Sequence, residues 1–382
     1  MCMKRYYYSF LVSGFLLLSC GTETTDGDLP EFPVDKEESA SLLLSEIAES
    51  ITAIELELTD ESLIWPQRGR TKRIIVSDDM IFLAQSEKVF VFNMDGKYIR
   101  SIGSKGQGPG EYNEIRNFAM DEINKRLFVN AYQKIICYDL AGNYKDQMGG
   151  FSRIVDINYI NNELLVIDHV MGMEDEQGLF NHDIVYRFND EFQILDSCTI
   201  QKIYMRGFSE SPIEDYILYL DSTVYLYYPC TAVPTPETKT NPVVMQRMPK
   251  TVLRDTLYRF ENNQLVPELK LKFKNDGTGG DGYLFINLVN VFRSSRYIFA
   301  EYLNYLLDYD FYYPYFCFCY DTKTGTGYNM RDGYTDDIHQ IEKVRIRPFH
   351  TNPEMFYYWH THMKPNDLEE PNPTLYIGTL KK

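Results

Sequence analysis

The chain has 382 residues, of which 44% are hydrophobic and 15% aromatic, with 31 tyrosines and a formal net charge of −17. That length allows one large domain or two, with enough apolar material for a sizeable core. The acidic balance leaves no basic footprint for nucleic acid and disfavours direct adhesion to anionic lipid.

Lys4 and Arg5 precede a mainly apolar run from Phe10 to Leu18, which is too short to span a bilayer as a helix. The run ends in Leu17-Leu18-Ser19-Cys20, which resembles the lipobox of bacterial lipoproteins. The resemblance implies a signal peptide over residues 1–19 and lipidation of Cys20. Gly21 stands where many lipoproteins kept in the inner membrane carry Asp. Several acyl chains anchor a protein far better than one. Residues 22–41 are polar, acidic and Pro-containing. Residues 20–50 are therefore expected to be the lipidated cysteine and a flexible acidic tether, with at most a short helix in LLLSEIAES (42–50).

Further along, one pattern recurs: an alternating apolar-aromatic strand, a turn, and a second strand. It appears as KVFVFNMDGKYIRSIG (88–103) and KIICYDLAGNYKDQMG (134–149), and more loosely at 183–197 and 255–273. YFCFCYDTKTGTGYNM (315–330) is a fifth copy and PTLYIGTLKK (373–382) half of a sixth. Phe92, Tyr138, Phe188, Phe260, Tyr320 and Gly378 align. Each copy follows another strand pair with a short turn, such as KRIIVSDDMIFLAQ and IVDINYINNELLVID. Six such units of four antiparallel strands predict an all-β, six-bladed β-propeller over residues 51–382. The sixth unit has only three strands. ITAIELEL (51–58), with Ile54, Leu56 and Leu58 alternating with Glu, supplies the fourth and closes the ring.

The acidic lead-in, TDESLI (59–64), KVFVFNMDGKYIRSIGSKGQGPGEY (88–112), DTLYRF (255–260) and NPTLYIGTLKK (372–382) resemble the six-bladed β-propeller lipoproteins of gut Bacteroidetes, with blade 3 and 229–254 departing most from the pattern. The resemblance implies an NHL-like fold in an outer-membrane lipoprotein, periplasmic or surface-exposed. It implies no activity.

Apart from Cys2 and Cys20, five scattered cysteines (137, 198, 230, 317 and 319) make no disulfide framework and read as buried small hydrophobes. GSKGQGPGEY lacks both common phosphate-loop patterns and precedes a strand, so it reads as a compact turn. The a–b and c–d turns are short. The b–c connections near 169–182, 229–254, 302–314 and 361–372, and the d–a connections near 103–114, 201–213, 274–283 and 329–338, are long and share one rim. Such a rim is the expected working surface.

On it, Tyr112, Arg116, Asp156, Tyr305, Tyr312, Tyr313, His360 and His362 are the candidate ligand-binding residues. Tyrosine faces suit sugars or protein surfaces. His360 and His362 with His169 or His350, or Asp308 with Asp310, are weaker metal candidates, and no metal or cofactor is predicted. The expected function is non-catalytic binding of a carbohydrate or envelope protein, with the membrane reached through the lipid anchor only and no nucleic acid bound. The alternatives are a lyase or hydrolase at the channel mouth, served by Arg116, Asp156, His339 and Lys343, or a structural subunit of an envelope complex.

Overall fold

The structure is a computed structural model that describes residues 29–34, 42–64, 71–85, 87–204, 217–227, 255–273, 286–304, 315–361 and 371–382. Six sheets form the expected propeller, each beginning at its innermost strand. Blade 1 is Thr71–Ser77, Met80–Gln85, Lys88–Asn93 and Tyr98–Ile102. Blade 2 is Asn117–Asp121, Arg126–Asn130, Lys134–Asp139 and Tyr144–Gly149. Blade 3 is Ile154–Ile160, Glu163–Asp175, Gly178–Phe188 and Ile194–Tyr204. Blade 4 is Ile217–Leu220, Thr223–Tyr227, Thr256–Glu261 and Gln264–Phe273. Blade 5 is Ile286–Arg293, Tyr297–Asn304, Tyr315–Asp321 and Thr326–Arg331. Blade 6 is Arg347–Phe349, Asn352–His360, Thr374–Leu380 and, from the other end of the chain, Ala48–Glu55.

The alternating strands bury side chains on both faces, so the apolar clusters lie between blades. Phe82 and Val91 meet Phe118 and Leu127 between blades 1 and 2, and Phe128 and Cys137 meet Ile157 and Val166 between blades 2 and 3. Blades 4, 5 and 6 share one large cluster that takes in Cys317 and Cys319. Both thiols are enclosed, and desolvation raises their pKa well above the usual range. Cys137 is also buried, whereas Cys198 is partly exposed and Cys230 lies outside the described residues.

The closing strand pairs antiparallel with Thr374–Leu380, with Ile54 opposite Leu375. It begins three residues earlier than the alternation suggests. Leu58 is 41% exposed and lies past the end of the strand.

The tether expectation over 20–50 is corrected at two places. Glu31–Val34 adds a fifth strand to blade 4, parallel to Gln264–Phe273, with Val34 buried and the Phe32 ring edge-on to Tyr320. Residues 42–50 belong to the body as well. Leu42, Leu44 and Ile47 are buried, a single helical turn spans Leu44–Ile47, and Ser45 donates through its amide and hydroxyl to the Asp337 carboxylate. Apolar residues at 42, 44 and 47 outweigh the acidic composition around them. Residues 35–41 and Cys20 lie outside the described residues.

One further expectation needs revision. The connection at 169–182 is not a loop, because the two middle strands of blade 3 run on to Asp175 and Gly178 and pair to the end. The short turns have a common geometry: Asp78-Asp79, Asn161-Asn162, Asp221-Ser222 and Asn262-Asn263 all take positive φ, as two-residue hairpins with the sheet's twist require.

Candidate functional site

The propeller axis is closed by one buried ion pair. Arg73, near the start of the inner strand of blade 1, places a guanidinium nitrogen 2.6 Å from Asp156 Oδ1 in blade 3, and both side chains are fully enclosed. The same guanidinium donates to the carbonyls of Phe118 and Ile157. Asn117 Nδ2 donates to Asp156 Oδ1, and the amide of Ile217 in blade 4 donates to Oδ2. Blade 6 joins through His350, whose Nδ1 donates to the Ile217 carbonyl, and whose own carbonyl takes the Tyr219 amide. The strand register shifts just before both Arg73 and Asp156, and such bulges re-aim side chains. A buried pair survives only with its remaining hydrogen bonds satisfied, as four blades do here, with blade 6 attached through Ile217.

Beside this plug, toward the short a–b turns, lies a cavity of about 690 Å³. Its wall includes Val76, Met120, Asn158, Asn161, Asn162, Tyr219, Phe349, Thr351 and Asn352, with Arg73 and His350 also lining it. Asn158 follows Asp156 by two positions on one face of the strand. Asn161 accepts from the Tyr219 hydroxyl at 2.8 Å. At the mouth, Asp121 takes hydrogen bonds from Asn124 and Arg126; desolvation opposes them, yet the carboxyl is held below its ordinary pKa.

On the opposite face, the long-connection rim, Arg116 stands 5.1 Å and Arg153 5.9 Å from the Tyr132 ring centre. Tyr132 has a φ of 74°, unusual for an aromatic residue, fixed because its amide donates to Asn130 Oδ1 and its carbonyl takes the Ile154 amide. The blade 3 ribbon leaves next to it, where the His169 amide donates to the Arg153 carbonyl. Within the ribbon, His169 Nδ1 meets Asp183 Oδ1 at 2.7 Å, Lys202 pairs with Asp175, and Met173 and Leu179 are exposed.

The sequence candidates scatter over this framework. Asp156 is an axial structural residue rather than a ligand contact. Tyr112 is buried, donates its hydroxyl to the Ile102 carbonyl, and has its phenol pushed up mainly by burial. It packs within the compact turn, where Gly108 N–H donates to Glu111 Oε2 and Gly103 gives the Tyr112 ring room. That turn encloses its own carboxylate instead of cradling a phosphate.

Arg116 alone of the described candidates joins an open cluster, and His360 is half-buried at the end of its strand. Tyr305, Tyr312, Tyr313, His362, Asp308 and Asp310 lie outside the described residues, as does the whole 229–254 connection. His339 binds Asp336, which also takes the Tyr358 hydroxyl, and Lys343 reaches Asp332 at 3.4 Å. Among the described residues no group of three His, Cys, Asp or Glu could hold a metal. Sequence reasoning missed Arg73; the signal was a lone arginine in the apolar inner strand KRIIV, matched by the lone Asp of IVDINYI.

No helix among the described residues is long and apolar enough to cross a membrane. A crystal structure of a Bacteroides fragilis protein described as exported superimposes with a TM-score of 0.58 at 15% identity, covering 92% of this chain and 99% of that one. BamB from Moraxella catarrhalis matches with a TM-score of 0.45 at 9% identity, over 86% of this chain and 100% of its own. At such identities the likeness concerns the fold alone. No curated protein matches. Residues 29–375, beginning just before the added blade 4 strand and running into the last strand, match one family throughout. The chain belongs to the family described as "Domain of unknown function (DUF4934)".

Proposed function

We propose that this chain is a lipid-anchored cell-envelope protein that binds a protein partner on its long-connection face and does not convert it. The observation that carries the reading is the surface where Arg116 and Tyr132, set over the buried Arg153, adjoin the blade 3 ribbon. The inner strand of blade 3 pairs only with Glu163–Asp168, so the 169–175 edge has no strand beside it among the described residues. Such an edge accepts a strand from another chain, and the exposed Met173 and Leu179 offer apolar contacts beside it. The partly exposed Arg116 favours a partner segment bearing a carboxylate.

The anchor reading rests on Leu17-Leu18-Ser19-Cys20 and fits the exported character of the Bacteroides fragilis protein of similar fold. Against catalysis, Asp156, the Asp336–His339 pair and the His169–Asp183 pair each hold structural hydrogen bonds.

A photo-crosslinking residue placed at Met173 or Leu179 in living cells should capture one discrete protein. The same residue at Ile123, 77% exposed at the short-turn face, should not. The purified partner should then bind the full-length chain, with affinity about tenfold weaker in Arg116→Glu. Equal capture from both faces, or chemical turnover of the partner, would overturn the reading.

A further inference from the structure

Among the described residues, blade 4 alone carries a fifth strand. Glu31–Val34 lies along its outermost edge, where the Lys270 amide donates to the Pro30 carbonyl and Lys272 Nζ stands 2.6 Å from Glu31 Oε2. Val34 is buried, and the Phe32 ring centre stands 5.0 Å from that of Tyr320 in blade 5. The ring is closed by Ala48–Glu55, so this strand adds nothing to closure.

What the strand changes is the length of free chain ahead of the body. On the anchor reading proposed above, on which this inference rests, the lipid sits on Cys20. Leu29 follows Cys20 by nine residues, a stretch that spans at most about 32 Å. A leash running on to Ala48, the first residue of the closing strand, could reach about 95 Å. The attachment is also off-axis, on the outer wall of a single blade. A rigid body on a short leash keeps its attachment point close to the anchor, while its bulk keeps the far side away. In a six-bladed ring the blade opposite blade 4 is blade 1.

We infer that Glu31–Val34 is a strap that shortens the lipid leash and makes the outer wall of blade 4 the flank nearest the membrane, with blade 1 furthest from it. The strap supplies a closeness that a chain of net charge −17 would not gain by adhesion to anionic lipid. The blade 3 ribbon, next to blade 4, is thereby held within reach of a partner anchored in the same membrane.

The test uses the mature lipidated chain in phosphatidylcholine vesicles that carry an acceptor dye on the headgroups. A fluorescent amino acid replaces Gln264, exposed on the outer strand of blade 4, or Ile99, 39% exposed on the outer strand of blade 1. Energy transfer to the membrane should be higher from position 264 than from position 99. Val34→Asp, which puts a carboxylate in a buried site, should undock the strap and lose that difference. About thirty Gly-Ser residues inserted after Asp26, giving the leash a root-mean-square length of roughly 35 Å, should lose it as well with the fold untouched. Thermal melts check folding, and the insertion carries the test if Val34→Asp does not fold. Flotation with the vesicles, abolished in Cys20→Ala, checks the anchor separately. A wild-type chain that fails to float overturns the anchor reading and this inference with it. A chain that floats with equal transfer from both positions, or whose two variants keep the wild-type difference, leaves the anchor standing and overturns the strap.

Discussion

Arg73 and Gly378 carry more of the fold than their chemistry suggests. Arg73 joins blades 1, 2 and 3 directly, and through Asp156 reaches the amide of Ile217 in blade 4. Arg73→Ala would strand the Asp156 carboxylate, and a broken buried pair typically costs about 3–5 kcal/mol. Urea denaturation should show that loss, and Arg73→Met with Asp156→Leu should recover most of it. A single variant as stable as wild type would remove the plug from the account.

Gly378 departs from the aromatic consensus of the repeat, and the structure supplies the reason. Elsewhere the third-strand aromatic faces an aliphatic residue, as Phe92 faces Ile81, Tyr138 faces Leu127 and Tyr320 faces Ile298. In blade 6 the pair is reversed, with Phe356 opposite Gly378, and a Cβ at 378 would fall within the Phe356 ring. Gly378→Ala should therefore cost about 1–3 kcal/mol by overpacking, readable as a lower melting temperature. Aligning Gly378 with the aromatics was possible from sequence. Seeing why it must stay small needed the neighbouring strand.

Among the elements, those with a strong local period were legible. The four-strand pattern, the short turns and the closing strand all follow from alternation and turn chemistry. What escaped the sequence were elements whose partners are remote. Glu31–Val34 is short and Pro-containing, and its strand character comes from docking on Gln264–Phe273, with Lys272 pairing to Glu31. The blade 3 ribbon escaped for a related reason. MGMEDEQG has no apolar alternation, because its strands project past the core and bury little. The cavity was invisible too, since its wall is assembled from short stretches of five blades that are far apart in sequence, whereas loop length pointed to the other face.

Deleting residues 29–34 should lower stability, with Val34 alone worth roughly 1.5–3 kcal/mol as a fully buried side chain. A shortened chain that melts like wild type would return this segment to the tether.

For the molecule as a whole, the seam in blade 6 has a consequence for the order of assembly. Synthesis runs from the N-terminus, so Ala48–Glu55 emerges early, yet its partner Thr374–Leu380 comes almost last. Glu31–Val34 likewise waits for Gln264–Phe273. Two strands that precede the rest of the propeller in the chain are thus among the latest to pair, and such distant pairings are slow to form. An interrupted chain keeps an unclasped edge on blade 6, and such an edge is what chaperones and proteases can act on. The ring thereby acts as a completeness check, because a protein missing its final strand cannot pass for a finished one.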